Sequence, residues 1–123
     1  VKSPETVATA IRIGKPASGS KALAARDESN GLISSVTDEQ ILDAQAFLAA
    51  KEGIFVEPAS AAGVAGLLAL KQSGDLPAGQ RIVITVTGNG LKDIDTALSR
   101  TELSTEAVEP STDRVAALLG LHR

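Results

Sequence analysis

The chain switches between two hydrophobic rhythms: short β-branched runs, and longer stretches in which apolar residues recur every three or four positions. Residues 7–13 are β-branched and are broken off by Gly14 and Pro16, which predicts an extended piece running into a loop. Residues 17–25 are predicted to be helical, with Ser18 or Ser20 as cap and Ala22, Leu23 and Ala25 as the apolar residues. Residues 27–31 are turn material, and residues 32–36 read as a short strand. Thr37-Asp38-Glu39-Gln40 has the form of a capping box, with two carboxylates at the positive end of the helix that follows. Ile41, Ala44, Phe47 and Leu48 then recur at helical spacing up to Gly53, and residues 54–56 form a second short strand. The next helix, residues 59–73, opens with Ala, Ser and Gly and carries hardly a charge, which predicts burial all round. Gly74 closes it. Residues 82–86 are an unbroken β-branched run, as in a strand covered on both faces. Residues 91–99 predict a short helix, residues 100–110 an irregular polar linker, and Ser111 the cap of a last helix presenting Val115, Leu118 and Leu119.

Strands alternating with helices predict an α/β fold with a mostly parallel sheet. The strands are few for an independent sheet. The chain also contains no Met, a further hint that Val1 lies inside a longer protein.

Two places carry candidate chemistry. Thr87-Gly88-Asn89-Gly90 stands at the carboxyl end of the 82–86 strand, where open α/β sheets bind ligands. Its glycines let a ligand approach the backbone and free N–H groups for anions. Asn-Gly is also a common turn pair, although no second strand follows to make a hairpin. Glu57-Pro58-Ala59-Ser60 places a carboxylate at the start of the small-residue helix, and that helix end offers N–H groups to an anion or cofactor. The plain alternative is a helix start with an exposed Glu. Lys92 beside the glycine loop has the reactivity for a Schiff base, but the flanking Asp93 favours the ammonium form. It is read as solvated, as are Arg12, Lys15 and His122. No nucleophile, base and orienting group share a neighbourhood, so no catalytic residue is assigned.

Composition narrows the classes. The 123 residues suffice for one domain with a real core. Aromatics are only 2%, so that core is built from Ala, Val, Ile and Leu. A net charge of −3, no basic run and two Phe argue against a nucleic-acid surface. With no Cys and a single His, disulfides are excluded and a zinc site nearly so. No apolar stretch approaches the ~20 residues of a membrane span, and there is no signal-peptide pattern. The expectation is a cytoplasmic protein.

Three blocks resemble threonine synthase in order along the chain: Val7-Ala8-Thr9-Ala10-Ile11-Arg12-Ile13-Gly14, Gly53-Ile54-Phe55-Val56-Glu57-Pro58-Ala59-Ser60-Ala61-Ala62, and Val86-Thr87-Gly88-Asn89-Gly90-Leu91-Lys92-Asp93. The likeness is to the C-terminal part of the short bacterial form and covers residues 5–99; the tail resembles that family more loosely. Lys15 and Gly19 stand where the family usually has Asn and Trp, Gly63 where it often has Ser, and Ile94 where it often has Pro. The resemblance implies the tryptophan-synthase-β-like (type II) pyridoxal-phosphate fold, a three-layer α/β domain. Residues 1–123 would form a C-terminal segment of the large cofactor-binding domain, ending in the 100–123 linker and helix. It implies conversion of O-phospho-L-homoserine and water to L-threonine and phosphate, and a homodimer for the complete enzyme.

The same resemblance implies pyridoxal phosphate as cofactor, with Thr87 facing the pyridine nitrogen. Gly88, Asn89 and Gly90 would pack against the ring, and Glu57 and Ser60 would line the pocket. The family's Schiff-base lysine, the Asn near the cofactor hydroxyl and the phosphate loop lie upstream of the matched region, so the expected partner is the N-terminal part of the same enzyme. Without it the fragment is expected to be inactive. A serine/threonine dehydratase shares the Glu57-Pro58 region and is the alternative enzyme. A non-catalytic small-ligand-binding or interaction domain is the alternative of a different class.

Overall fold

The computed structural model describes residues 1–100 and 107–121. Its α-helices are α1 (Gly19–Glu28), α2 (Asp38–Phe47), α3 (Pro58–Ser73), α4 (Ile94–Leu98) and α5 (Thr112–Leu118). The capping box forms as the sequence predicts: Gln40 N–H donates to Thr37 Oγ1 at 3.2 Å, and Thr37 N–H to Gln40 Oε1 at 2.8 Å. A π-helical turn, Leu48–Glu52, continues α2 as far as Gly53 at φ 66°. Glycine also ends α3, with Gly74 at φ 82°. Both positions need the left-handed conformation that glycine adopts freely. Ser111 caps α5 as expected, its side chain accepting from the Arg114 N–H.

Three local readings are corrected. Helix α1 begins two residues later than the pattern implies and absorbs Asp27 and Glu28, because Ser29 Oγ donates to the Ala25 carbonyl at 2.7 Å and delays the turn. Ser18 precedes it without a side-chain capping bond. Residues 7–13 are not extended: Thr9–Ile11 form a single 3-10 turn. That segment is anchored through Asp38, which accepts from the Val7 N–H at 3.1 Å and from Thr6 Oγ1 at 2.5 Å. Bonds to the first turn of α2 therefore hold this segment where no neighbouring strand pairs with it.

The predicted sheet does not form among the described residues. Residues 32–36, 54–56 and 82–86 enter no ladder, and the one β-type pairing is an antiparallel bridge between Val56 and Asn89. A ladder needs partner backbones, and residues 32–36 and 82–86 pair with none among the described residues. Val83 is 88% exposed, although the run it belongs to reads as a strand covered on both faces.

Helix α2 packs on α3, and the core joins Ile41 and Ala44 of the first, with Leu48 of the π-helical turn, to Ala61, Val64 and Ala65 of the second, together with Ala8 and Val56. Half of these eight residues are alanine, which allows the helices to approach closely. The expectation that α3 is buried all round is not met. Its Ala62, Gly63, Gly66 and Leu70 line an open cavity of about 840 Å³, with Leu32, Ile82 and Ile84 opposite. Among the described residues no helix is long and apolar enough to cross a membrane. His122 and most of the 100–110 linker lie outside the described residues.

Candidate functional site

The site is built where the chain enters α3. Glu57 is extended (φ −67°, ψ 158°) and Pro58 begins the helix, with its fixed φ suited to that position. Around the Val56–Asn89 bridge, Glu57 N–H donates to the Gly88 carbonyl at 2.9 Å and Gly90 N–H to the Phe55 carbonyl at 3.2 Å. Residues 55–57 are thereby clasped to residues 88–90. From below, buried Gln45 donates to the Val56 carbonyl at 2.8 Å, tying the clasp to α2.

Ser60, in the first turn of α3, is the hub. Its Oγ accepts from the Gly88 N–H at 2.8 Å and the Thr87 N–H at 3.3 Å, and lies 3.5 Å from Thr87 Oγ1. In that long contact either hydroxyl can be the donor. Thr87 itself is exposed.

The glycines of this loop serve proximity, not turn geometry. Neither Gly88 nor Gly90 has a positive φ. A Cβ on Gly88 would stand 1.9 Å from Glu57 Oε1, and one on Gly90 would stand 2.6 Å from the Phe55 ring. The tight-turn alternative for this loop is set aside by that packing.

Glu57 is 7% exposed, so the reading of an exposed helix-start carboxylate fails. Its Oε2 lies 2.6 Å from Lys92 Nζ. The reading of Lys92 as merely solvated is corrected too, although its side chain remains about half exposed. The hydrogen bond to Glu57 raises Lys92 above the ordinary lysine value; burial opposes it, and the charges of Glu57 and Asp93 add smaller increases. A cation with a raised value stabilises the fold throughout the range below the ordinary lysine value and loses that contribution only as pH rises above it. At neutral pH Lys92 is an ammonium, not a nucleophile.

Few backbone donors remain free at the start of α3. Pro58 has no N–H, the Ser60 and Ala61 N–H groups turn back to the Glu57 carbonyl at 3.0 and 3.2 Å, and the Glu57 carboxylate itself is buried there. Asn89 folds onto its own loop, accepting from the Leu91 N–H at 2.9 Å. Asp93 accepts from Thr9 Oγ1 at 3.0 Å, which joins the N-terminal 3-10 turn to the loop. The structure thus brings Glu57, Ser60, Thr87, Gly88, Asn89 and Gly90 into one cluster. It also brings together the three sequence blocks, through Thr9–Asp93, Glu57–Gly88 and Lys92–Glu57.

Sequence reasoning missed Gln45, Phe55 and the pairing of Lys92. Gln45 left a faint signal, as a polar residue adjoining Ala44 and Leu48 on the apolar stripe of α2. Arg12 is exposed and donates through Nε to the Thr6 carbonyl at 3.0 Å; Lys15 is exposed. Among the described residues no group of three His, Cys, Asp or Glu is placed to hold a metal ion.

Comparison with known proteins agrees with the order of the blocks. The family pattern for pyridoxal-phosphate dependent enzyme matches residues 1–88. The chain is 52% identical over 121 residues to a threonine synthase of Synechocystis sp., covering 98% of this chain and 31% of that protein. To a threonine synthase of Halalkalibacterium halodurans it is 51% identical over 114 residues, covering 93% of this chain and 32% of the relative. To one of Mycobacterium leprae it is 55% identical over 98 residues, covering 80% and 27% respectively. The chain spans about a third of the length of the curated relatives it matches. The expected likeness to threonine synthases is therefore found, and with a family match over most of its length the chain belongs to the pyridoxal-phosphate dependent enzymes.

Proposed function

We propose that these residues are a segment of a threonine synthase, in which the clasp of Glu57, Ser60, Thr87 and Gly88 seats the ring of pyridoxal phosphate. The observation that carries this reading is the Ser60 hub, which fixes the backbone of Thr87 and Gly88 while Thr87 itself stays exposed. The residues fit the ring end of the cofactor. Thr87 offers a neutral donor suited to a pyridine nitrogen, and Gly88 and Gly90 carry no side chain to obstruct a flat ring. Little comparable is offered to the phosphate by α3, where Pro58 has no N–H and the Ser60 and Ala61 N–H groups are bonded to the Glu57 carbonyl. That end of the cofactor is assigned to the remaining part of the protein.

When bound, pyridoxal phosphate supplies an electron sink for charge developing at the substrate carbons. The residues of this chain bind and orient. Thr87 donates to the ring nitrogen, Ser60 holds Thr87, and Glu57 fills the space beside Gly88 so that the loop cannot collapse inward. Proton transfers to and from the substrate are assigned outside these residues, because Lys92 is held as an ammonium by Glu57. The proposed reaction converts O-phospho-L-homoserine and water to L-threonine and phosphate, and the proposed partner of these residues is the N-terminal part of the same enzyme. In that whole protein the unpaired 32–36 and 82–86 segments would find their places in the parallel sheet of a tryptophan-synthase-β-like domain.

The test is product analysis with the full-length protein. O-phospho-L-homoserine is expected to yield threonine and phosphate in equal amounts, while the 123-residue chain alone yields none. Consumption of threonine in place of phosphohomoserine would move the assignment to a dehydratase. Threonine made by the 123 residues alone would refute the division of labour.

A further inference from the structure

The loop that carries Thr87 also carries a charge arrangement that ring seating alone does not require. A carboxylate, Glu57, is buried directly against Gly88, the residue after Thr87. An uncompensated charge there would act on whatever Thr87 contacts, through surroundings that screen poorly. Its compensation comes from four residues farther along the same loop, where Lys92 Nζ stands 2.6 Å from Glu57 Oε2.

We propose that Lys92 is a positioning residue that balances the Glu57 charge beside Thr87, so that the ring nitrogen seated at the Thr87 hydroxyl stays unprotonated. This rests on the ring-site reading and deepens it.

Three observations support the assignment. Ser60 Oγ already accepts from the Thr87 and Gly88 N–H groups, so a Ser60 proton given to the 3.5 Å Thr87 contact would leave the Thr87 hydroxyl free to donate toward the ring. A donor matches a nitrogen that carries a lone pair; a protonated nitrogen would need an acceptor. Glu57, left alone, would pull in the opposite direction by attracting a proton to the ring. Lys92 removes that pull without burying its own stem, since its side chain is about half exposed while that of Glu57 is 9% exposed. Asp93 also acts on Lys92 through its charge, but its own hydrogen bond is to Thr9 Oγ1 at 3.0 and 3.3 Å, and the hydrogen-bonded partner of Lys92 is Glu57. The ordinary role of such a pair is to hold a loop in place. Holding alone, however, would be served equally by a neutral hydrogen-bonded pair, and this difference makes the two roles separable.

The experiment uses the full-length protein loaded with pyridoxal phosphate labelled with nitrogen-15 in the ring, and follows the ring-nitrogen chemical shift against pH. In the parent protein the nitrogen is expected to remain unprotonated at neutral pH. In Lys92→Gln the protonation midpoint is expected to rise by about one to two pH units, the effect of one uncompensated charge at close range in a partly screened site. Lys92→Arg is expected to keep the parental midpoint, and the neutral double variant Glu57→Gln/Lys92→Gln to return to it. A Lys92→Gln midpoint equal to the parent's, or a double variant raised as far as the single one, overturns the proposal. Should Lys92→Gln not fold, Glu57→Gln supplies the opposite arm: its midpoint is expected below the parent's, and one at or above it overturns the proposal. A parent protein that binds no pyridoxal phosphate brings down the ring-site reading itself, a failure distinct from an unmoved midpoint in a loaded protein.

Discussion

Gly88→Ala is expected to destabilise the full-length protein by about 2–3 kcal/mol, at the upper end of what overpacking costs. The added Cβ would fall 1.9 Å from Glu57 Oε1 and 2.2 Å from its Cδ, well inside contact distance. Glu57 cannot simply swing away. Its backbone N–H is bonded to the Gly88 carbonyl, its carboxylate is bonded to Lys92, and its side chain is 9% exposed. Relief therefore requires either the loop to lift off α3, breaking the Ser60 bonds, or the carboxylate to leave its cation. Gly63→Ala is the internal control, because its Cβ would meet only Ile84 Cγ2 at 3.4 Å. It is expected to cost well under about 1 kcal/mol, since an ordinary contact needs little repacking. Urea denaturation of both variants gives the comparison. Equal midpoints would mean that the clasp is not packed as described.

Ser60→Ala is expected to have the next largest effect, for a reason that involves polarity more than volume. The substitution removes one oxygen and leaves the N–H groups of Thr87 and Gly88 facing a methyl group. An orphaned buried donor costs about 1–3 kcal/mol, and the loop can recover part of that by turning toward water. A net loss of about 2 kcal/mol is the expectation. Amide hydrogen exchange is the specific readout: Thr87 and Gly88 should lose protection while the amides of α2 keep theirs. Unchanged protection at Thr87 and Gly88 would remove Ser60 from its place as the hub.

The features legible from sequence are those settled within a few residues. Thr37 and Gln40 are three apart and form their capping box with no help from the rest of the fold. Gly53 and Gly74 end their helices by backbone conformation alone. The features that were not legible depend on long-range partners. Nothing local to Glu57 shows that it is buried, since its cation lies 35 residues away at Lys92. Phe55 beside Gly90 and Gln45 beneath Val56 are joined in the same way, by folding and not by spacing.

Residues 82–86 illustrate the converse. Their β-branched run carries a strand preference, but a strand takes its hydrogen bonds from neighbours, and none is present among the described residues. The candidate site itself was legible as two separate motifs. What the sequence did not show is that they form one object, with Ser60 of the first holding the backbone of the second. Nor did it show that the Glu57 carboxylate at the start of α3 is buried there.

The central claim is that Thr87 faces the ring of pyridoxal phosphate, and a binding titration of the full-length protein against its Thr87→Val variant tests it most directly. Valine keeps the shape and removes the hydroxyl, so only the proposed donor is lost. Loss of one hydrogen bond in a shielded site corresponds to affinity reduced by about tenfold, together with a shifted cofactor absorbance band. That result is the one predicted. A Thr87→Val protein with the affinity and spectrum of the parent would contradict the account.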